Sequence, residues 1–230
     1  MKSERRGSGG FSAILVGLIV GITLVLLNVA TFATEPSLVL EDFESVQDLS
    51  VLTRKGEGNY WELQMQGESV QSRLIPGHDG TGNALEIEMV VEPLGVKWVY
   101  LWFDPALDIS EYNKLTLWYN ISHGVADLAR SHPFQVRLYD ANSNRVEGRF
   151  RQEFPKDDQW LAPNQWHKLV LYLVPDAPAE SFANDVVVSR GARIDDTLNR
   201  QGIKRLIFRI ENSFVLDPIF LRLDDIRLEK

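Results

Sequence analysis

The sequence predicts an all-β chain: a two-sheet antiparallel sandwich or jelly roll, placed after an N-terminal hydrophobic signal or anchor helix. Three observations carry this. Short runs of Val, Ile, Leu, Phe, Tyr and Trp recur along residues 38–228, separated by turn residues. No long stretch repeats its apolar residues at the helical period. From Phe11 to Thr34 there is no charged residue, behind a basic head of Lys2, Arg5 and Arg6.

Residues 1–33 come first. The run "AILVGLIVGITLVLL" (13–27) and the small residues Thr31 and Ala33 fit a secretory signal cleaved after Ala33. The same run is long enough to span a bilayer as an uncleaved anchor, with its basic head left inside. Either way the remainder is exported, to the periplasm or the exterior, and meets a membrane only through this segment. Residues 36–230 show no repeat and no low-complexity linker, so they read as a single domain.

Within that domain, strands are expected near 38–43, 60–66, 84–91, 97–103, 114–120, 133–140, 147–153, 166–173, 205–211 and 219–228. "GHDGTGN" (77–83) reads as a turn-rich break and "DANSNRVEG" (140–148) as a hairpin loop. The long connection over 174–203 has room for short helices at 180–188 and 195–202, the second stopped by Gly202.

Alternation sorts the side chains of several strands. In 114–120, Leu115, Leu117 and Tyr119 oppose Thr116, Trp118 and Asn120. In 134–140, Phe134, Val136 and Leu138 form the core set, against Gln135, Arg137 and Tyr139. In 206–212, Leu206, Phe208 and Ile210 oppose Ile207, Arg209 and Glu211. "WVYLWFD" (98–104) is apolar on both faces. Trp98, Tyr100 and Trp102 either share the outward face or pack inward, with Val99, Leu101 and Phe103 then lying under a loop. The period alone does not choose between these.

The net charge of -8 and pI near 5.1 leave no basic stripe for phosphates, which excludes a nucleic-acid binder. The chain has no cysteine, so the exported domain has no disulfide and no lipid-acceptor thiol. Asn120-Ile121-Ser122 is a glycosylation triplet of a kind common by chance.

The ordered segments "LEDFES" (40–45), "GTGNALEIEM" (80–89), "DISEYNKLTLWYN" (108–120), "FQVRLYD" (134–140), "NQWHKLVLYL" (164–173), "IKRLIFRI" (203–210) and "LRLDDIRL" (221–228) carry a resemblance. The chain resembles the galactose-binding-like jelly roll, and is most similar to family-eleven carbohydrate-binding modules and to complex I intermediate-associated-type domains. The resemblance implies two antiparallel sheets, one of them concave with sugar lying along it. It also implies a structural calcium ion near the chain ends in many members.

Sugars present flat C–H surfaces beside hydroxyls, so aromatic platforms flanked by hydrogen-bonding side chains suit them. The candidate carbohydrate-binding residues are Tyr100, Trp102, Trp118, Gln135, Arg137, Tyr139 and Arg209. For calcium, which takes six to eight oxygens, the candidate ligands are Asp42, Glu44 and Asp224, brought together if the terminal strands run side by side. Alternatively, Asp42 and Asp224 cap turns or pair with Arg222 and Arg227. The four histidines lack metal-hydrolase spacing and read as loop or strand-edge residues. Glu86 and Glu88 read as a solvated acidic face. No nucleophile elbow or phosphate loop is present. The expected function is therefore a non-catalytic polysaccharide-binding protein of the cell envelope or exterior, and the alternative is an envelope interaction or assembly factor on the same fold.

Overall fold

The computed structural model describes residues 36–56, 58–65, 68–90, 96–123, 134–150, 165–176, 178, 181–183, 186–190, 193–211 and 218–230. The segment assigned to a signal or anchor lies outside them. In chain order the elements are β1 (Ser37–Glu41), α1 (Leu49–Leu52), β2 (Tyr60–Glu62), β3 (Gln64–Met65), β4 (Glu68–Ser69), β5 (Gln71–Pro76), β6 (Asn83–Val90), β7 (Val96–Leu107) and β8 (Lys114–His123). There follow β9 (Phe134–Asp140), β10 (Arg145–Phe150), β11 (His167–Tyr172), β12 (Ser181–Ala183), β13 (Val186–Arg190), β14 (Arg193–Ile194), β15 (Ile203–Glu211) and β16 (Pro218–Glu229).

Two sheets make the sandwich. The first runs β12-β13-β11-β8-β16-β6-β5, with β1 also on β16; the second runs β14-β10-β9-β15-β7-β2. Within both, the paired strands are antiparallel except β11 and β13, which run parallel. Burial follows the expected alternation: β11 reads buried-then-half-buried throughout, and so does most of β16. The core lies between the sheets. Leu85, Ile87, Leu115, Leu117, Leu169 and Leu221 line it from the first, and Val99, Leu101, Val136, Leu138, Leu206 and Phe208 from the second. At its centre Phe208 stacks between Trp61 (5.9 Å) and Phe134 (6.2 Å).

The long connection does not form helices where they were expected. Residues 181–183 and 186–190 are strands that extend the first sheet, because "DVVVSR" supplies β-branched residues able to pair with β11. Residues 195–202 form successive turns, fastened by Arg200. Its guanidinium donates to the carbonyls of Leu173 (2.7 Å), Ile109 (3.0 Å) and Tyr112 (2.5 Å), satisfying backbone oxygens from segments that leave both sheets. The one short helix among the described residues, α1, is capped by Asp48, whose carboxylate accepts from Ser50 N at 2.8 Å.

Three polar residues sit differently from their sequence reading. Glu86 is 3% exposed and bridges Arg73 (2.6 Å) and Arg222 (2.7 Å), so this part of the acidic face is a buried ion-pair site rather than a solvated one. His167 points into the core against Tyr119, whose phenol burial pushes far above its ordinary range. Asn120 is buried beside Arg222, so its triplet is closed to a glycan in the folded chain.

The 140–144 turn is held by Asp140. Its carboxylate accepts from Asn142 N (2.8 Å), Asn144 N (2.9 Å), Asn144 Nδ2 (2.9 Å) and Asn199 N (3.0 Å). Burial alone would raise its pKa, but these donors outweigh it and hold the carboxyl below the usual carboxylate range. A depressed folded pKa adds stability that is present above the unfolded value of about 3.9 and is lost as pH falls through the folded one. Asp140→Ala is therefore expected to cost about 2 kcal/mol at neutral pH, with the gap to wild type narrowing below about pH 4. Urea unfolding at both pH values measures this, and equal stabilities at neutral pH would contradict it.

Candidate functional site

The second sheet presents an unusual outer face. β7 turns Val99, Leu101 and Phe103 into the core, which leaves Trp98, Tyr100 and Trp102 outward, each half-buried. These three rings do not pack inward, although Gln135, Tyr139, Ile207 and Glu147 on the same outer face are buried. Among the described residues of the 174–203 connection, β12 and β13 pair on the first sheet.

Strand register then arranges the face in rows. Tyr60, Trp102, Arg205, Tyr139 and Arg145 stand side by side across β2, β7, β15, β9 and β10. Glu62, Tyr100, Ile207, Arg137, Glu147 and Arg193 form the next row, and Trp98, Arg209 and Gln135 the third. Directly opposed cross-strand side chains lie close enough to touch, and these do. Trp102 stacks on Tyr60 (6.2 Å, 12°) and on Tyr100 (6.2 Å, 20°), giving a three-ring strip. The Trp102 indole donates to Glu62 Oε2 at 2.7 Å, which fixes the ring's orientation. Beside the β2 end of the strip, Thr53, Lys55, Tyr60, Trp61, Glu62, Leu63, Val70 and Ser72 line a cavity of about 470 Å³.

Guanidinium groups lie over Trp98, Trp102 and Tyr139. Arg205 lies over Trp102 (5.1 Å) and Tyr139 (4.9 Å); Arg137 and Arg209 both lie over Trp98 (5.1 Å each); Arg145 lies over Tyr139 (5.7 Å). Beneath them Glu147, 0% exposed, meets Arg145 Nε at 2.8 Å and Arg137 Nε at 3.1 Å. Neither contact is an aligned hydrogen bond, so both act as charge pairs. Arg137 also donates to Gln135 Oε1 (2.6 Å) and to the Tyr139 hydroxyl (3.3 Å). Burial pushes the Tyr100 phenol above its ordinary pKa, against the opposing pull of Arg205. The face is thus partly dehydrated, which strengthens every polar contact made on it.

Six of the seven sequence-derived binding candidates share this face: Tyr100, Trp102, Gln135, Arg137, Tyr139 and Arg209. Trp118 does not. It lies on β8 of the first sheet, outward on the opposite side of the sandwich, where it stacks on His78 (4.4 Å, 13°) with Trp166 edge-on to the same histidine (6.4 Å). Alternation separates inside from outside but says nothing about which sheet a strand joins, and that is why Trp118 was misplaced. Tyr60, Trp98, Glu62, Arg145, Glu147 and Arg205 belong to the face and were absent from the candidate set. Arg205 continues the outward alternation of Ile207 and Arg209, and "RVEGR" alternates Arg145 and Glu147 on one side. These signals are hidden when the alternation is read from Leu206 onward and 140–148 is read as a loop.

The calcium candidates each have a local partner, and Glu44 and Asp224 both reach the 77–83 turn. Asp42 Oδ1 accepts from Glu44 N (3.2 Å), and Glu44 Oε1 accepts from Asn83 N (3.3 Å). Asp224 Oδ2 accepts from His78 N (2.9 Å) and faces His78 Nδ1 (2.8 Å). A bulge between Asp224 and Arg227, with Asp225 at φ 49°, sets this direction. Arg222 and Arg227 pair instead with Glu86 and Asp225. Among the described residues no group of three or more His, Asp or Glu side chains is placed to hold a metal ion.

No protein-family model matches the chain, and neither does any curated protein. Solved structures do. An exo-beta-agarase aligns at TM-score 0.55 and 13% identity over 83% of this chain, which spans only 24% of that enzyme's length. The non-crystalline cellulose-specific module CBM28 aligns at TM-score 0.51 and 11% identity, over 84% of this chain and 99% of its own. CtCBM11, studied in solution, aligns at TM-score 0.50 and 18% identity, over 86% and 97%. The chain has the β-sandwich jelly-roll fold of family 11 and family 28 carbohydrate-binding modules.

Proposed function

We propose that this chain is a non-catalytic polysaccharide-binding protein, holding its glycan along the outer face of the second sheet. The observation that carries the reading is the Tyr60–Trp102–Tyr100 strip, flanked by Gln135, Arg137, Tyr139 and Arg209. Pyranose rings present apolar C–H faces that stack on such rings, while their hydroxyls meet the half-buried Arg137 and Arg209, which the buried Gln135 and Tyr139 back up from beneath. The shared fold with polysaccharide-binding modules supports the reading, because those modules use the same scaffold. Of the described carboxylates on the face, Glu147 is sealed beneath two arginines and Glu62 is committed to the Trp102 indole, which favours binding over hydrolysis by an acid pair. In this reading the domain works outside the cytoplasm, in the periplasm or beyond, and residues 1–33 are a cleaved signal or a retained anchor.

Affinity electrophoresis of the protein through gels containing different soluble polysaccharides tests this. At least one glycan class is expected to retard the band. Trp102→Ala is expected to weaken that retardation by tenfold or more, an effect of about 1.5–3 kcal/mol for a lost aromatic platform. Trp118→Ala, on the opposite sheet, is expected to leave it unchanged. A folded protein retarded by no glycan would displace this reading in favour of an envelope protein partner.

A further inference from the structure

We infer that the glycan accepted by this face is anionic, a polysaccharide bearing carboxylate or sulfate groups; this rests on the face being the glycan site. The chain as a whole carries a net charge of -8. Among the described residues of this face the arginines outnumber the carboxylates. Arg137, Arg145, Arg205 and Arg209 crowd over three rings; Glu147, the one buried carboxylate described there, is already shared by two of these arginines, and Glu62 is engaged by the Trp102 indole. Arg193, at the sheet edge, is neutralised by its own Asp195 at 2.5 Å.

Arg205 is the decisive group. Its guanidinium is lodged between Trp102 and Tyr139, at the centre of the first row, and its Nε is buried. It has no hydrogen bond or ion pair with any described residue. Ring contacts stabilise such a cation but leave its N–H groups without acceptors. A neutral sugar hydroxyl offers one weak acceptor, whereas a carboxylate or sulfate offers paired oxygens that match the guanidinium fork and compensate its charge. The spacing also suits alternation along a chain: Trp102 stacks on one residue's C–H face while Arg205, its cross-strand neighbour, meets that residue's acidic substituent. The net negative charge of the chain disfavours diffuse attraction of such a polymer, so binding depends on a local cluster of arginines.

The test uses the full chain in a non-ionic detergent, run through native gels containing polygalacturonate, a sulfated galactan, a neutral galactan or a mixed-linkage β-glucan, at low and moderate salt. Retardation is expected with an anionic polymer and not with its neutral counterpart, and the two anionic gels distinguish carboxylate from sulfate. Arg205→Gln is expected to weaken the anionic interaction about tenfold and to flatten its salt dependence, while the near-ultraviolet circular dichroism stays native. Retardation by neutral glycans alone, unaltered in Arg205→Gln, would overturn the anionic assignment and leave the glycan reading standing. Anionic retardation that survives Trp102→Ala and vanishes with moderate salt would be diffuse charge attraction and would also overturn it. A folded chain that binds none of the four polymers removes both.

Discussion

Glu147→Ala is expected to lower stability by about 3–5 kcal/mol, a large share of a small domain's total. The carboxylate is 0% exposed and sits between Arg145 and Arg137. Removing it leaves two partly dehydrated cations side by side, with Asp195 near Arg145 offsetting only part of their repulsion, and it is this undercompensated charge that carries the cost. Glu147→Gln keeps the shape and an acceptor but not the charge, so it should fall between wild type and alanine. Combining Glu147→Leu with Arg137→Met and Arg145→Met removes all three charges, and it should recover much of the loss because an apolar replacement of a buried ion cluster is often neutral or better. Guanidinium-chloride unfolding of the set measures the order. An alanine variant within about 1 kcal/mol of wild type would mean that water reaches the cluster and screens it as on an open surface.

Phe208→Ala is expected to cost about 3–5 kcal/mol. Phe208 is fully buried between Trp61 and Phe134, rings contributed by β2 and β9, with β15 between β7 and β9 in its sheet. Three stacked rings cannot close over a missing one without shifting two strands, so the cavity persists and adds its own term to the lost transfer energy. Phe208→Leu fills most of the volume and should cost less than half as much. Thermal and denaturant unfolding of both variants would show this. A loss for alanine no larger than for leucine would indicate that the core collapses around the site.

Much of the second sheet was legible in the sequence, because β9 and β15 alternate sharply, with one side that is aliphatic or phenylalanine. Those two strands carry Gln135, Arg137, Tyr139 and Arg209 to the outer side, whereas β7, apolar on both faces, leaves the side of Tyr100 and Trp102 to the structure. What alternation lacks is pairing. Nothing in "KLTLWYN" says that β8 pairs with β16 and β11 rather than with β9, so Trp118 was grouped with residues on the opposite side of the sandwich. β5 was missed because "QSRLIP" mixes polar residues with a proline and its burial is irregular, as suits an edge strand. β12 to β14 were missed because pieces of two to five residues show no period of their own; their pairing partners define them. The buried roles of Glu86, Glu147 and His167 were equally hidden, since each depends on cations or rings brought from distant strands. The partners of the acidic ends are equally invisible in the sequence: Asp42 accepts from Glu44 N, and Asp224 accepts from His78 N, far away in the chain.

The first row on the outer face has a consequence for the entropy of recognition. Trp102 is clamped by two neighbouring rings and by its bond to Glu62, and Arg205 is wedged between that same Trp102 and Tyr139. Immobilising a free tryptophan or arginine on association costs about 0.5–1.5 kcal/mol per side chain. Here that freedom is surrendered during folding, when the rows zip together strand by strand. A polymer laid along this face meets groups already at rest, and the ordering left to be done is its own.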